Sequence, residues 1–126
     1  MTAAFSTTLR NARSTAIVTA AGANAKIKFY NGARPATGVA IGSQVLLATL
    51  FTGTVLGTVA NATLTVGAVT QNNANHVNGT PTWVRITDSA DVFVTDLTVG
   101  TDVTWTGTVS TGVNVTLNGP ITEGNA

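Results

Sequence analysis

Trp83-Val84-Arg85-Ile86-Thr87-Asp88-Ser89-Ala90-Asp91-Val92-Phe93-Val94 is the strongest structural signal in the sequence. Two runs rich in β-branched and aromatic residues flank a short polar segment, which is the pattern of a β-hairpin. Asp and Ser side chains accept hydrogen bonds from backbone amides in such turns, so Asp88 and Asp91 have a structural role without catalysis. We therefore predict an antiparallel hairpin over residues 82–100.

Similar runs lie on both sides of this hairpin. In residues 26–30 apolar and polar side chains alternate up to the turn signal Asn31-Gly32, which predicts a half-buried strand. Residues 44–51 are more continuously apolar, as is typical of a strand buried on both faces. An Asn-rich loop is predicted over 71–81. Further strands are predicted at 62–70, 102–106 and 113–117, which brings the number to about seven.

One helix is predicted over residues 6–21, before the first strand. Ser6 is suited to cap its N-terminus and Gly22 to end it. Its apolar residues recur close to helical spacing, and we expect them to pack on the body of the same subunit while the polar residues face outward. The apolar set is Phe5, Leu9, Ala12, Ala16, Ile17 and Ala20, and the polar set is Arg10, Asn11, Ser14 and Thr15.

These elements predict a mainly β fold: an antiparallel, jelly-roll-like β-sandwich of about seven strands with one N-terminal helix. A single domain is expected over residues 1–126, with a helical segment at 1–22, the sandwich at 26–118 and a C-terminal tail at 119–126. The small residues 23–25 imitate a signal-peptide cleavage site, but the apolar run before them is short, so we expect the segment to be retained. No stretch approaches the apolar length that spans a bilayer.

The composition is poor in charged and reactive side chains. Charged residues make up 9% of the 126 residues, against roughly 25% in ordinary soluble domains. A net charge of +1 leaves little repulsion between copies, so self-association or a large partner is expected. The basic residues concentrate near the N-terminus and the acidic ones in the last third, and we expect these groups to meet within one subunit or between neighbours.

The sequence contains no recognised catalytic, cofactor-binding or metal-binding motif. His76 has no accompanying nucleophile elbow, the Asp residues lack calcium-loop spacing, and neither glycine-rich stretch continues into a Walker loop. We predict no enzyme activity, no catalytic or metal residues and no cofactor. Trp83 and Trp105 leave open a carbohydrate-binding module in which they stack on sugars, although burial is the commoner role of tryptophan.

Several segments together carry a family resemblance. They are the amphipathic N-terminus, Lys26-Ile27-Lys28-Phe29-Tyr30-Asn31-Gly32-Ala33-Arg34-Pro35, Leu46-Leu47-Ala48-Thr49-Leu50, Trp83-Val84-Arg85-Ile86-Thr87-Asp88-Ser89 with Val92-Phe93, and Pro120-Ile121-Thr122-Glu123-Gly124-Asn125-Ala126. In this order they resemble a group of small tailed-bacteriophage virion proteins, which are head decoration or cement proteins or parts of the tail. The hairpin turn departs from the family pattern, since Ser89-Ala90-Asp91 stands where a Gly is expected.

The resemblance implies a virion structural protein, located in the particle. The first expectation is a capsid decoration or cement protein that forms a homo-oligomer and binds the major capsid protein; a tail component is the alternative. Too few basic residues are present for nucleic acid binding, and neither a membrane nor a small-molecule substrate is expected. The candidate interface residues are Phe5, Leu9, Arg10, Arg13, Tyr30, Arg34, Asn75, His76, Trp83 and Trp105.

Overall fold

Helix α1 and eight strands make up the regular structure of the part of the chain that a computed structural model describes, residues 4–103, 107–115 and 121–122. The predicted fold, mainly β and antiparallel with a helix at the N-terminus, is confirmed. A short 3₁₀ helix also spans Asn73–Asn75. The elements are α1 (Thr7–Ala21), β1 (Lys26–Tyr30), β2 (Leu46–Thr52), β3 (Gly57–Ala60), β4 (Thr63–Val66), β5 (Val69–Gln71), β6 (Trp83–Thr87), β7 (Phe93–Thr98) and β8 (Ile121–Thr122).

The strands form two antiparallel sheets that share one hydrophobic core. The larger sheet has the order β5-β2-β1-β6-β7, and the smaller has the order β3-β4-β8. In the larger sheet Ile27 of β1 lies opposite Leu50 of β2 and Ile86 of β6, and all three are fully buried. The smaller sheet and the loop before it contribute Leu56 and Leu64 to the same core. Burial of these side chains between the sheets supplies the main stabilising force.

Two of the predicted strands agree closely with the structure. The strand predicted at 26–30 is β1, and the hairpin predicted over 82–100 is the antiparallel pair of β6 and β7. The strand predicted at 44–51 begins slightly later, at Leu46, and its expected burial on both faces is wrong, since Leu46 and Phe51 are exposed. Alternation of side chains and clear turn residues explain why β1 and the hairpin were predictable.

Other predicted strands need correction. The strand predicted at 62–70 is two strands, β4 and β5, which belong to different sheets because Gly67 and Ala68 carry the chain from one sheet to the other. Strand β3 was missed, and β8 lies inside the segment predicted as a C-terminal tail. Residues 113–115 form no strand, and the rest of the strands predicted at 102–106 and 113–117 lies largely outside the described residues.

Helix α1 has the predicted ends but faces the opposite way. The Ser6 side chain accepts a hydrogen bond from the Leu9 amide (3.2 Å), and Gly22 ends the helix with φ +66°. The expectation that the apolar side packs on the body is wrong for most of its residues. The residues turned toward the body are Arg10, Asn11, Ser14, Ile17, Val18 and Ala21, whereas Leu9, Ala12, Ala16 and Ala20 are exposed.

A hydrogen bond from the smaller sheet explains this orientation. Asn61 and Ala62 form the two-residue turn between β3 and β4, and both have positive φ angles (51° and 60°), as in a type I′ hairpin. Ala62 is buried, and its amide donates to Asn11 Oδ1 at 2.6 Å. Because a buried N–H without a partner is costly, the polar side of the helix is held against the turn.

Substituting Asn11 with Ala should destabilise the protein by about 1–3 kcal/mol, because the Ala62 amide loses its acceptor. Asn11→Asp keeps a side-chain oxygen at the same position and should retain most of the stability. Urea unfolding of the two variants and the parent chain measures the difference. Equal free energies of unfolding for Asn11→Ala and the parent would show that this bond does not hold the helix.

Gly57 is required by the close approach of β3 and β4. A Cβ atom at this position would overlap the carbonyl oxygen of Thr65, and a backbone atom cannot move aside as a flexible side chain can. Gly57→Ala should therefore cost about 2 kcal/mol or more. Gly53→Ala is the matched control, since a Cβ there meets nothing within 4 Å. Thermal unfolding should show a lowered melting temperature for Gly57→Ala only.

Candidate functional site

The larger sheet has an outer face, which is turned away from the core. Side chains alternate along a strand, so the neighbours of buried Ile27 and Phe29 lie on this outer face. The strand register places Lys28 beside Arg85, and Arg85 beside Asp96. This face carries Leu46, Thr49 and Phe51 of β2, Lys26, Lys28 and Tyr30 of β1, Trp83 and Arg85 of β6, and Phe93 and Asp96 of β7.

An ion-pair cluster of Lys26, Lys28 and Asp91 lies at one end of this face. The two ammonium groups approach the same carboxylate oxygen, Asp91 Oδ1, at 2.9 Å and 2.8 Å. Their hydrogen bonds, that of Lys28 first, lower the pKa of Asp91 to about 2. The cluster joins the basic N-terminal part of the chain to its acidic last third, so the expected meeting of charges occurs within one subunit.

The turn between β6 and β7 positions Asp91 for this role. The Asp88 carboxylate accepts hydrogen bonds from the Ala90 and Val92 amides at 2.8 Å and 2.9 Å, as the sequence predicted. Asp91 itself has φ +67°, the left-handed conformation that favours Gly and is tolerated by Asp and Asn. Asp91 therefore takes the conformation that a Gly was expected to supply.

A second ion pair lies in the middle of the outer face. Arg85 Nε and Nη2 donate to the two carboxylate oxygens of Asp96 at 2.7 Å and 2.9 Å, and both side chains are buried. The hydrogen bond with Asp96 raises the pKa of Arg85. The guanidinium also lies over the rings of Trp83 (5.4 Å) and Phe93 (5.3 Å). Such a bidentate, stacked arginine is a rigid structural element.

Tyr30 and Trp83 stack on each other beside this pair. Their ring centroids are 4.5 Å apart, their planes differ by 13°, and their exposed fractions are 5% and 0%. Burial raises the pKa of the Tyr30 hydroxyl. The Trp83 indole nitrogen is buried and finds no hydrogen-bond partner within the described part of the chain. Trp83 is thus a buried residue of the fold in this structure, with no open ring face for a sugar.

A groove of about 510 Å³ occupies the other half of the outer face, over β1 and β2. The loop of residues 31–45 does not line it; that loop reaches β7, where the Gly38 amide donates to Asp96 Oδ2 at 3.3 Å. The groove is lined by the ion-pair cluster, by the partly exposed apolar side chains of Leu46, Phe51 and Val77, and by the polar residues Asn75 and His76.

His76 is the unusual residue of this groove. Its exposed fraction is 4%, and Nδ1 lies 3.0 Å from the carbonyl oxygen of Val113. Because a carbonyl only accepts, Nδ1 carries a proton, and in the neutral ring Nε2 is an acceptor. Nε2 is buried and has no hydrogen-bond partner among the residues that the structure describes. A buried acceptor left unsatisfied is uncommon in proteins and calls for a physical explanation.

The structure distributes the predicted interface residues over separate elements. Phe5 lies under the Arg13 guanidinium at 4.7 Å. Asn75 and His76 lie at the groove, whereas Tyr30 and Trp83 are buried beneath the outer face. Leu9, Arg13 and Arg34 are exposed, Arg10 is half-buried, and Trp105 lies outside the described residues.

The ion-pair cluster and Phe51 were missed as site residues. The separation of basic and acidic residues along the sequence was the one signal that pointed to the cluster, and it did not identify the partners. Phe51 was recognised only as part of a strand. Its place beside the cluster follows from the pairing of Lys26 with Phe51 across β1 and β2.

Within residues 4–103, 107–115 and 121–122, no group of three or more His, Cys, Asp or Glu side chains is arranged to hold a metal ion. No helix in these residues is long and apolar enough to cross a membrane. Comparison with protein-family models, with curated proteins and with solved structures finds no match.

Asp91→Asn tests the ion-pair cluster. The pKa of Asp91 is about 2 in the folded chain and about 3.9 when unfolded, so the charged pair stabilises the fold above about pH 4 and is lost as the pH falls through 2. Asn also tolerates the left-handed conformation. The melting temperature of the parent should therefore drop more steeply between these pH values than that of Asp91→Asn.

The control for this experiment removes Lys26 and Lys28, the two partners of Asp91. In a Lys26→Gln/Lys28→Gln background, Asp91→Asn should leave the pH dependence unchanged, because the interaction is already absent. A parent chain and an Asp91→Asn variant with parallel pH profiles would contradict the assignment of the low pKa to these lysines.

Proposed function

We propose that this protein is a structural component of a tailed-bacteriophage particle, and specifically a head decoration or cement protein. It binds the major capsid protein and assembles with its own copies. The observation that carries the proposal is the orientation of α1, which leaves Leu9, Ala12, Ala16 and Ala20 exposed while Ile17, Val18 and Ala21 pack on the core.

The exposed side of α1 is suited to contact another protein surface. It comprises Leu9, with 45% of its surface exposed, and the exposed residues Ala12, Ala16 and Ala20, which we call the outer helix face. Small side chains let another backbone approach closely, since the distance between packed helices depends on the residues at the contact. An apolar strip left open on a subunit is typical of a surface that is covered in an assembly.

The N-terminal end of the same helix offers a second kind of contact. Arg13 is exposed and its guanidinium lies over the Phe5 ring. Aromatic residues and arginine are enriched in protein interfaces, because each combines a large apolar area with directional interactions. The low overall charge of the chain supports close packing of many copies, since little long-range repulsion opposes it.

Incorporation into particles tests this function. Ala16→Glu places a charge on the outer helix face and should reduce the number of copies per particle by about tenfold or more, because a buried unpaired carboxylate opposes docking. Thr15→Glu adds the same charge at the adjacent exposed residue, off this face, and should be incorporated like the parent. Both variants are supplied in a host infected by a phage that lacks its own copy.

The readout is the amount of the chain in gradient-purified particles, measured by immunoblot, with circular dichroism to confirm folding. Gold labelling in electron microscopy then locates the chain on the head or on the tail. Absence of the parent chain from purified particles would overturn the virion assignment. Full incorporation of Ala16→Glu would instead remove the outer helix face as the contact surface.

A further inference from the structure

The groove over β1 and β2 combines three features that point to a bound ligand. It contains a surplus of positive charge, an apolar wall, and polar side chains in its lining. None of these features belongs to the outer helix face, because α1 packs on β3, β4 and β7 and contributes no residue to the groove. The groove is therefore a separate surface of the molecule.

The charge surplus comes from the ion-pair cluster. Lys26 and Lys28 share a single carboxylate oxygen of Asp91, so two positive charges face one negative charge. Each ammonium group has three N–H donors, and the lysine side chains are 22% and 18% exposed. Donors therefore remain for an anionic group in the groove. A carboxylate that bound there would balance the charge of the cluster.

The apolar and polar side chains of the lining determine which other groups the ligand carries. Leu46, Phe51 and Val77 are 41%, 39% and 45% exposed, which is enough for the carbon face of a small ring to pack against them. Asn75 and Thr49 add an amide and a hydroxyl to the lining. A volume of about 510 Å³ lies in the range of sites for small organic molecules.

His76 lies on the wall of the groove but leaves no ring nitrogen open to a ligand. Its Nδ1 proton is used by the Val113 carbonyl, and Nε2 is shielded from solvent. The hydroxyls of a ligand are therefore met by the Asn75 amide and the Thr49 hydroxyl of the lining.

We propose that the groove binds a hydroxylated organic carboxylate of the size of a sugar acid. The carboxylate is held by Lys28 and Lys26, the ring packs against Phe51, and the hydroxyls bond to the side chains of Thr49 and Asn75. The proposal does not depend on assembly into particles, since it uses none of the residues of the outer helix face.

Titration of the ¹⁵N-labelled chain with D-glucuronate, D-glucose and acetate, followed by NMR, tests the proposal. D-Glucuronate should shift the amide signals of β1, β2 and residues 72–77 with a dissociation constant in the millimolar range, as expected for a small ligand. Glucose lacks the carboxylate and acetate lacks the hydroxyls and ring, so each should bind at least about tenfold more weakly.

Variants inside the groove and a control variant outside it show where glucuronate binds. Lys28→Gln should weaken glucuronate binding about tenfold, because a charge-assisted hydrogen bond is lost. Arg34→Gln changes the net charge equally at an exposed residue outside the groove and should bind like the parent. Asn75→Ala removes the amide that meets the ligand hydroxyls, and it should weaken glucuronate more than acetate.

Each possible result of these titrations either supports or overturns the proposal. Absence of shifts with glucuronate, or equal binding of glucuronate and acetate, would overturn the proposal. Equal effects of Lys28→Gln and Arg34→Gln would reduce it to unspecific attraction of anions and would also overturn it. Unchanged glucuronate binding by Asn75→Ala would refute the contact between the ligand hydroxyls and this amide. Incorporation of Lys28→Gln into particles at the level of the parent would show that the groove and the outer helix face act independently.

Discussion

The hydrogen bond from the Ala62 amide to Asn11 Oδ1 is the constraint on which the arrangement of α1 depends. The turn between β3 and β4 needs two residues with positive φ, and this leaves the amide of buried Ala62 directed away from the sheet ladder. A buried amide must be paired, and the short helix next to it provides the acceptor. With Asn11 held against the turn and with Ile17, Val18 and Ala21 packed on the core, the opposite side of the helix, which carries the outer helix face, is exposed.

The outer face of the larger sheet has two halves that differ in the same respect, namely in whether their polar groups are already paired. Over β6 and β7 the outer face is closed, because Arg85 and Asp96 pair with each other and Arg85 lies over the buried ring of Trp83. Over β1 and β2 it is open, because Lys26 and Lys28 share one carboxylate and the apolar side chains beside them are partly exposed. Satisfied polar groups rigidify a fold, whereas the lysines keep N–H donors for a further acceptor. This contrast between the two halves is the reason for placing the proposed ligand in the groove.

The sequence predicts an element correctly where residues close together in the chain determine it. Strand β1, the hairpin of β6 and β7 and both ends of α1 follow from alternation, turn residues and capping residues close in the chain. The side of α1 that faces the body was not predictable, because Ala, Ser and Thr alternate with little contrast in hydropathy, and a distant turn decided it. The groove was not predictable either, since it joins β1, β2, residues 72–77 and Asp91, which are brought together only by the strand order.

Asp91 links the backbone of the hairpin to the chemistry of the groove. A Gly would adopt φ +67° without the steric cost that a side chain brings, so the turn alone gives no reason for an aspartate. The carboxylate supplies that reason, because it holds Lys26 and Lys28 side by side over the sheet with their ammonium groups 2.9 Å and 2.8 Å from one oxygen. Without it the two cations would repel each other and separate into solvent. A strained residue at a turn therefore keeps two positive charges in one place, which is the condition for binding an anion there.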